Sequence, residues 1–179
     1  MKLIFLRHGE SEYNIRGLCN ADPATPVGLT GKGRQQAEQA ARHWRGTPLR
    51  RVYVSRLQRA QETAAIVCGG QCPPICVDAR LDDRLTGFED RPVEDYLRTM
   101  GGAPDPFDWK AEGGESYREM VARVHDFLDE LVDKRDEPAA LVVTHHEVLQ
   151  AVAGRFRGLD LPAMWQVWVD HGASLEFDL

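Results

Sequence analysis

Residues 3–14 read LIFLRHGESEYN. Four apolar residues, Leu3 to Leu6, stop at Arg7 and His8, and so brief a run of branched and bulky side chains is the pattern of a buried strand. Similar runs recur at Val52 to Val54, Ile75 to Val77 and Leu141 to Val143, with Trp165 to Val169 and Ser174 to Phe177 as two further candidates. Between them lie helical patterns. In the clearest, Tyr117, Met120, Val121, Val124, Phe127, Leu128, Leu131 and Val132 fall on one face. Alternating strand and helix predicts an α/β fold with a mostly parallel sheet.

The opening stretch also carries chemistry. Arg7 and His8 follow the first strand, Arg59 lies one turn into the helix after the second, and His145 follows the strand ending near Val143. If those strands are parallel neighbours, two guanidiniums and two imidazoles meet beyond their carboxyl ends, where α/β sheets bind ligands. Planar guanidinium forks match phosphate oxygens, so the constellation predicts a site for a dianionic phosphoryl group. Ser55 with Gln58, Ser116 with Glu119 and Thr144 with Glu147 each fit the S/T-x-x-E/Q helix cap.

These residues stand in a wider pattern. LIFLRHGESEYN is similar to the RHG signature of the histidine phosphatase superfamily, which includes cofactor-dependent phosphoglycerate mutases. LTGKGRQQA (Leu29 to Ala37), SRLQRAQET (Ser55 to Thr63), GGES (Gly113 to Ser116) and VVTHHEVL (Val142 to Leu149) resemble the family's later motifs in order. The resemblance implies a three-layer α/β/α sandwich of phosphoglycerate mutase type, one domain over residues 1–179. It implies a phosphohistidine intermediate on His8. Arg7, Arg59 and His145 would hold the transferring phosphoryl group and Asn14 would touch its oxygens, with no metal and no cofactor. A neutral imidazole is a competent nucleophile near neutral pH, and phosphoryl transfer needs chiefly alignment and charge neutralisation.

Two departures from the family pattern stand out. Where relatives carry a Glu in L-x-E as proton donor, this chain reads RLDDRLTGFED (Arg80 to Asp90), which puts Asp83 on that position with Asp82 and Glu89 as alternatives. Where relatives often carry Gly-Gly after the late His, it has His146 and Glu147, and His146 is expected to narrow the entrance or to pack on its helix. The segment from about residue 80 to 110 mixes Pro92, Pro104 and Pro106 with Gly101 and Gly102 around a short helical stretch, Val93 to Met100, and reads as a lid.

Composition bounds the rest. The chain has 179 residues, 42% hydrophobic and 28% charged, an average globular composition that fits one domain, and its net charge of -6 argues against a nucleic-acid partner. The opening MKLIFL is cut by Arg7 too early for a secretory core, and no apolar run suits a membrane span, so a cytoplasmic protein with no membrane partner is expected. Cys68, Cys72 and Cys76 form a C-x3-C-x3-C run across Pro73 and Pro74 with no neighbouring His; these and Cys19 are expected as free thiols rather than metal ligands. The Gly-Lys pair within Gly28 to Gly33 lacks the Ser or Thr of a nucleotide loop, and no G-x-S-x-G elbow is present. The expected function is hydrolysis of a small phosphorylated metabolite. A mutase-type phosphotransferase, a phosphohistidine or phosphoprotein phosphatase, and a non-catalytic anion-binding module are the alternatives. Trp165 or Trp168, on a late strand, hints at a homodimer edge.

Overall fold

The computed structural model describes residues 1–70, 73–133 and 138–179. Strands β1 (Lys2–Arg7), β2 (Arg51–Val54), β3 (Ile75–Val77), β4 (Ala139–Thr144) and β5 (Ser174–Asp178) form one sheet in the order β3-β2-β4-β1-β5. The pairs β1–β4, β2–β4 and β2–β3 are parallel, and β5 runs antiparallel against β1. The α/β reading with a mostly parallel sheet therefore holds.

Side-chain alternation builds the two faces. Leu3, Phe5, Tyr53, Ala140 and Val142 point to one side, where α5 (Tyr117–Val132) and α6 (His146–Arg157) cover them. Ile4, Leu6, Val52, Val54, Leu141 and Val143 point to the other, against α2 (Gly31–His43) and α3 (Gln58–Cys68). The central strands β1 and β4 are buried on both faces, which is why they read as unbroken apolar runs. Shorter helices α1 (Glu12–Arg16), α4 (Val93–Gly101) and α7 (Leu161–Trp165) complete the set. Among the described residues no helix is long and apolar enough to cross a membrane.

Several local expectations need correction. Ile75–Val77 is a strand but an exposed edge, not a buried one. Trp165–Val169 is no strand: Asp160 caps α7, with Pro162 in its first turn, so Trp165 ends a helix. Beyond it the Val169 carbonyl accepts a bond from Arg7 instead of joining a ladder, which leaves Trp165 and Trp168 off any sheet edge. The Ser116–Glu119 capping box is present. The other two boxes are not, because α3 starts from Leu57 and α6 from His145, and the hydroxyls of Ser55 and Thr144 bind Asp82 and the Leu81 carbonyl. Cys68, at the end of α3, is disulfide-bonded, against the expectation of a free thiol. Cys19 and Cys76 are free, and Cys72 lies outside the described residues.

One close approach shapes the region after β1. A Cβ on Gly9 would sit 2.2 Å from the Gly33 carbonyl oxygen, and one on Gly33 would sit 2.0 Å from that of Glu10. Only glycine lets the two backbones meet, and Thr30 N–H donates to the Glu10 carbonyl (2.9 Å) beside the contact. The Gly-Lys stretch is thus the start of α2, packed under the loop that carries His8.

Candidate active site

Strand register decides which side chains converge. Arg7 pairs with Thr144 and Val54 with Val143, so three parallel strands end level. The ladder continues one step: His8 N–H donates to the Thr144 carbonyl (3.0 Å) and Ser55 N–H to that of Val143 (3.2 Å). His8, Ser55 and His145 leave the sheet side by side, with the two imidazole centroids 5.0 Å apart. Arg59 reaches the same point from the first turn of α3.

The His8 ring has a defined tautomer. Its Nδ1 lies 2.7 Å from the Gly9 carbonyl, which can only accept, so Nδ1 carries the proton and Nε2 keeps its lone pair. Arg59 Nε–H donates to that Nε2 at 3.3 Å. Burial, then the Arg59 guanidinium, hold the His8 pKa well below the ordinary imidazole value, and the ring is neutral at physiological pH.

The cations are buried too. Arg7 donates through NH1 to the Val169 carbonyl (2.7 Å), its Nε has no partner among the described residues, and the Trp168 ring lies 5.7 Å from its guanidinium. Burial brings its pKa down to about 10, which leaves it charged at neutral pH. Arg59 is fixed by Asn20, whose side-chain and backbone oxygens accept from NH1 and NH2 at 2.7 Å each. His145 Nε2 lies 2.8 Å from Ser55 Oγ, and Ser55 spends its one proton on Asp82 Oδ1 (2.9 Å). His145 is therefore the donor at Nε2, and its Nδ1 has no partner among the described residues. Burial, then Arg59, keep His145 neutral as well.

The three carboxylate candidates separate in space. Asp83 Oδ2 lies 3.4 Å from Arg59 NH2 and 3.7 Å from His145 Nδ1. Asp82 turns away, accepting from Ser55 Oγ, Arg56 N and Arg56 Nε (2.7 Å each for the last two), so it braces the loop. Glu89 accepts from Ala21 N–H (2.7 Å) and supports the Asn20 loop. Glu89 borders a different cavity, on the far side of Asp83.

A cavity of about 210 Å³ opens above these groups, bordered by Arg7, Asn14, Arg59, Asp83, His146 and Glu147 among others. His8 and His145 lie beneath its floor, 3% and 0% exposed. Asn14 Oδ1 is committed to capping α1 through Ser11, which leaves its amide N–H groups for a ligand. His146 lies at the cavity edge, its ring 4.6 Å from that of Trp168, with its pKa lowered to about 4 by burial and then Arg7. The lid-like segment contributes Thr86, Val93 and Tyr96.

The structure thus brings together Arg7, His8, Arg59, Asp83 and His145, with Asn14 and His146 at the rim. Ser55, Asn20, Arg84, Glu147 and His171, whose ring is 5.6 Å from that of His8, were not anticipated as site residues. Ser55 stood inside the second arginine motif but read as a helix cap. Asn20 and His171 carried no local signal, because only long-range folding places them here.

Comparison with known proteins identifies the family and the fold. The family model of the histidine phosphatase superfamily (branch 1) matches residues 3–178. The chain is similar to the adenosylcobalamin/alpha-ribazole phosphatase of Escherichia coli strain K12, 30% identical over 185 residues that cover 100% of this chain and 90% of that protein. It is 26% identical over 186 residues to phosphoserine phosphatase 1 of Hydrogenobacter thermophilus, covering 97% and 84% of the two chains. The crystal structure of the alpha-ribazole phosphatase from Shigella flexneri superposes with a TM-score of 0.87 at 27% identity, covering 100% of this chain and 91% of that one.

Proposed function

The chain belongs to the histidine phosphatase superfamily and is a phosphoric monoester hydrolase, and from that premise we propose that it cleaves a small phosphomonoester through a phosphohistidine on His8, without a metal ion. The observation that carries the reading is the His8 tautomer: Nδ1–H is pinned on the Gly9 carbonyl, so the Nε2 lone pair faces the convergent donors. In the first step Nε2 attacks phosphorus in line with the ester oxygen, and the P–O bond breaks as the N–P bond forms. Arg59 moves its Nε–H from Nε2 to a phosphoryl oxygen. The unpartnered donor of Arg7 takes another, and His145, neutral in the empty site, takes up a proton from solvent at Nδ1 when the phosphoryl dianion binds and donates it to the third, neutralising charge as it shifts. Asp83, carrying the proton taken up with the substrate, gives it to the departing alkoxide. In the second step Asp83 removes a proton from water, whose oxygen attacks phosphorus and frees His8.

Size supports a small leaving group, since a cavity of about 210 Å³ falls below the roughly 300 Å³ that drug-sized ligands need. Similarity to alpha-ribazole and phosphoserine phosphatases puts nucleoside-type monophosphates, phosphoserine and sugar phosphates in one assay panel, of which the cavity size favours the smaller members. The test is a rapid alkaline quench with a labelled phosphomonoester, because a phosphoramidate survives alkali. Label should appear on wild type and not on His8→Ala, with stoichiometric phosphate release in the absence of any bisphosphate primer. Isomerisation without phosphate release would instead make the chain a mutase, and label on another residue would end the His8 assignment.

A further inference from the structure

Asp83 is poorly held by its own carboxylate. Its contacts are long: Arg84 N–H to Oδ1 at 3.2 Å, Arg59 at 3.4 Å and His145 at 3.7 Å. Its side chain is 31% exposed, on a segment outside any helix or strand. The next residue is the opposite case. Arg84 is 2% exposed, boxed by the rings of Tyr96, Tyr117 and Trp165 at 5.0, 5.5 and 5.9 Å, with the Met100 sulfur 3.8 Å from NH2. Its Nε and NH2 bind Glu147 in a two-pronged pair at 2.5 and 3.0 Å.

Glu147 stands on α6, two residues after His145. The pair therefore joins the segment bearing Asp83 to the helix whose first residue follows the phosphate-holding imidazole. On the other side Arg123 of α5 donates to the Asp83 carbonyl oxygen at 3.3 Å. We propose that the Arg84–Glu147 ion pair is a positioning device that fixes Asp83 relative to His145, so that its carboxyl meets the leaving oxygen. Side-chain freedom alone would let Asp83 drift by more than proton transfer tolerates, and a two-pronged guanidinium–carboxylate contact is the directional tether that prevents it. The pair also places two residues of the lid helix α4, Tyr96 and Met100, against the same arginine, so lid and acid share one anchor.

The proposal rests on Asp83 being the proton donor, and leaving-group dependence separates the two ideas. The readout is kcat/KM for 4-nitrophenyl phosphate divided by kcat/KM for glycerol 1-phosphate, since nitrophenolate leaves without a proton and an alkoxide does not. Asp83→Asn should raise this ratio by about 10²-fold or more, within the range of general acid catalysis. Glu147→Gln should raise it about tenfold, and adding Glu147→Gln to Asp83→Asn should raise it no further, because the first acts through the second. Arg84→Met with Glu147→Leu swaps the pair for apolar groups that buried sites often accept without loss of stability, and it should raise the ratio likewise. An unchanged ratio in Asp83→Asn would remove the acid assignment and the proposal with it. A raised ratio there with wild-type ratios in the folded Glu147→Gln and Arg84→Met/Glu147→Leu variants would overturn the positioning role alone. Multiplying effects of Asp83→Asn and Glu147→Gln would also overturn it, placing Glu147 on the substrate itself.

Discussion

Ser55 is the sharpest place to disturb this site, because one buried oxygen serves three partners. Its hydroxyl donates to Asp82 Oδ1 (2.9 Å) and accepts from Leu57 N–H (3.1 Å) and from His145 Nε2 (2.8 Å), at 0% exposure. Ser55→Ala leaves two buried donors unpaired at about 1–3 kcal/mol each, so a loss of about 3 kcal/mol is expected. For a chain of this size that lowers the melting temperature by about 6–12 °C. Activity should fall separately. Without an acceptor at Nε2 the His145 ring loses its fixed orientation, and the charge-assisted bond proposed from Nδ1 to the phosphoryl group, worth about 1.5–3 kcal/mol, should weaken or be lost. That corresponds to about 10- to 150-fold in kcat/KM. Calorimetry and steady-state assays at a temperature where the variant is fully folded measure the two effects. A variant that melts early yet keeps kcat/KM within about twofold of wild type would refute the claim that Ser55 acts through His145.

Two buried imidazoles, His8 and His145, and two half-buried ones, His146 and His171, contribute to the acid stability. His8 and His145 are held well below the ordinary value, and His146 and His171 titrate near about 4, burial being the first cause in each. Unfolded, all four titrate near about 6.5, so below that pH the unfolded chain binds more protons and stability is lost as pH falls towards about 4. Urea midpoints should drop between about pH 7.5 and about pH 5, less steeply in His171→Gln; a flat profile would contradict neutral burial. Gly33→Ala forces a methyl to 2.0 Å from the Glu10 carbonyl oxygen, backbone that cannot rotate away. It should cost about 3 kcal/mol and lower turnover by shifting the segment that carries His8, read by urea titration with kinetics; a fully stable and active variant would show that the two segments can part.

The elements legible in advance were those with local causes. The α5 face from Tyr117 to Leu131 is buried as its spacing required, and β1 and β4 read as buried strands because both faces are covered. Short apolar runs were less informative. Ile75–Val77 has strand composition but lies at a sheet edge, and Trp165–Val169 has it but follows a proline-bearing helix start. The expected caps at Ser55 and Thr144 failed because the helices start later, from Leu57 and His145, and both hydroxyls, at the border of the site, give their protons to a carboxylate and a carbonyl of a distant segment.

By itself the sequence determined the layered α/β architecture and the residue types that stand at the strand ends, since hydrophobic period and the sites where strands end are properties of adjacent residues. It also carried the family, through motifs in order along the chain. Tertiary structure alone decided which of Asp82, Asp83 and Glu89 faces His145, that Asn20 seats Arg59, that Ser55 orients an imidazole, and that Arg84 locks onto Glu147. Those facts depend on strand register and on loops meeting from residues as far as 90 positions apart, and no local pattern encodes such a distance.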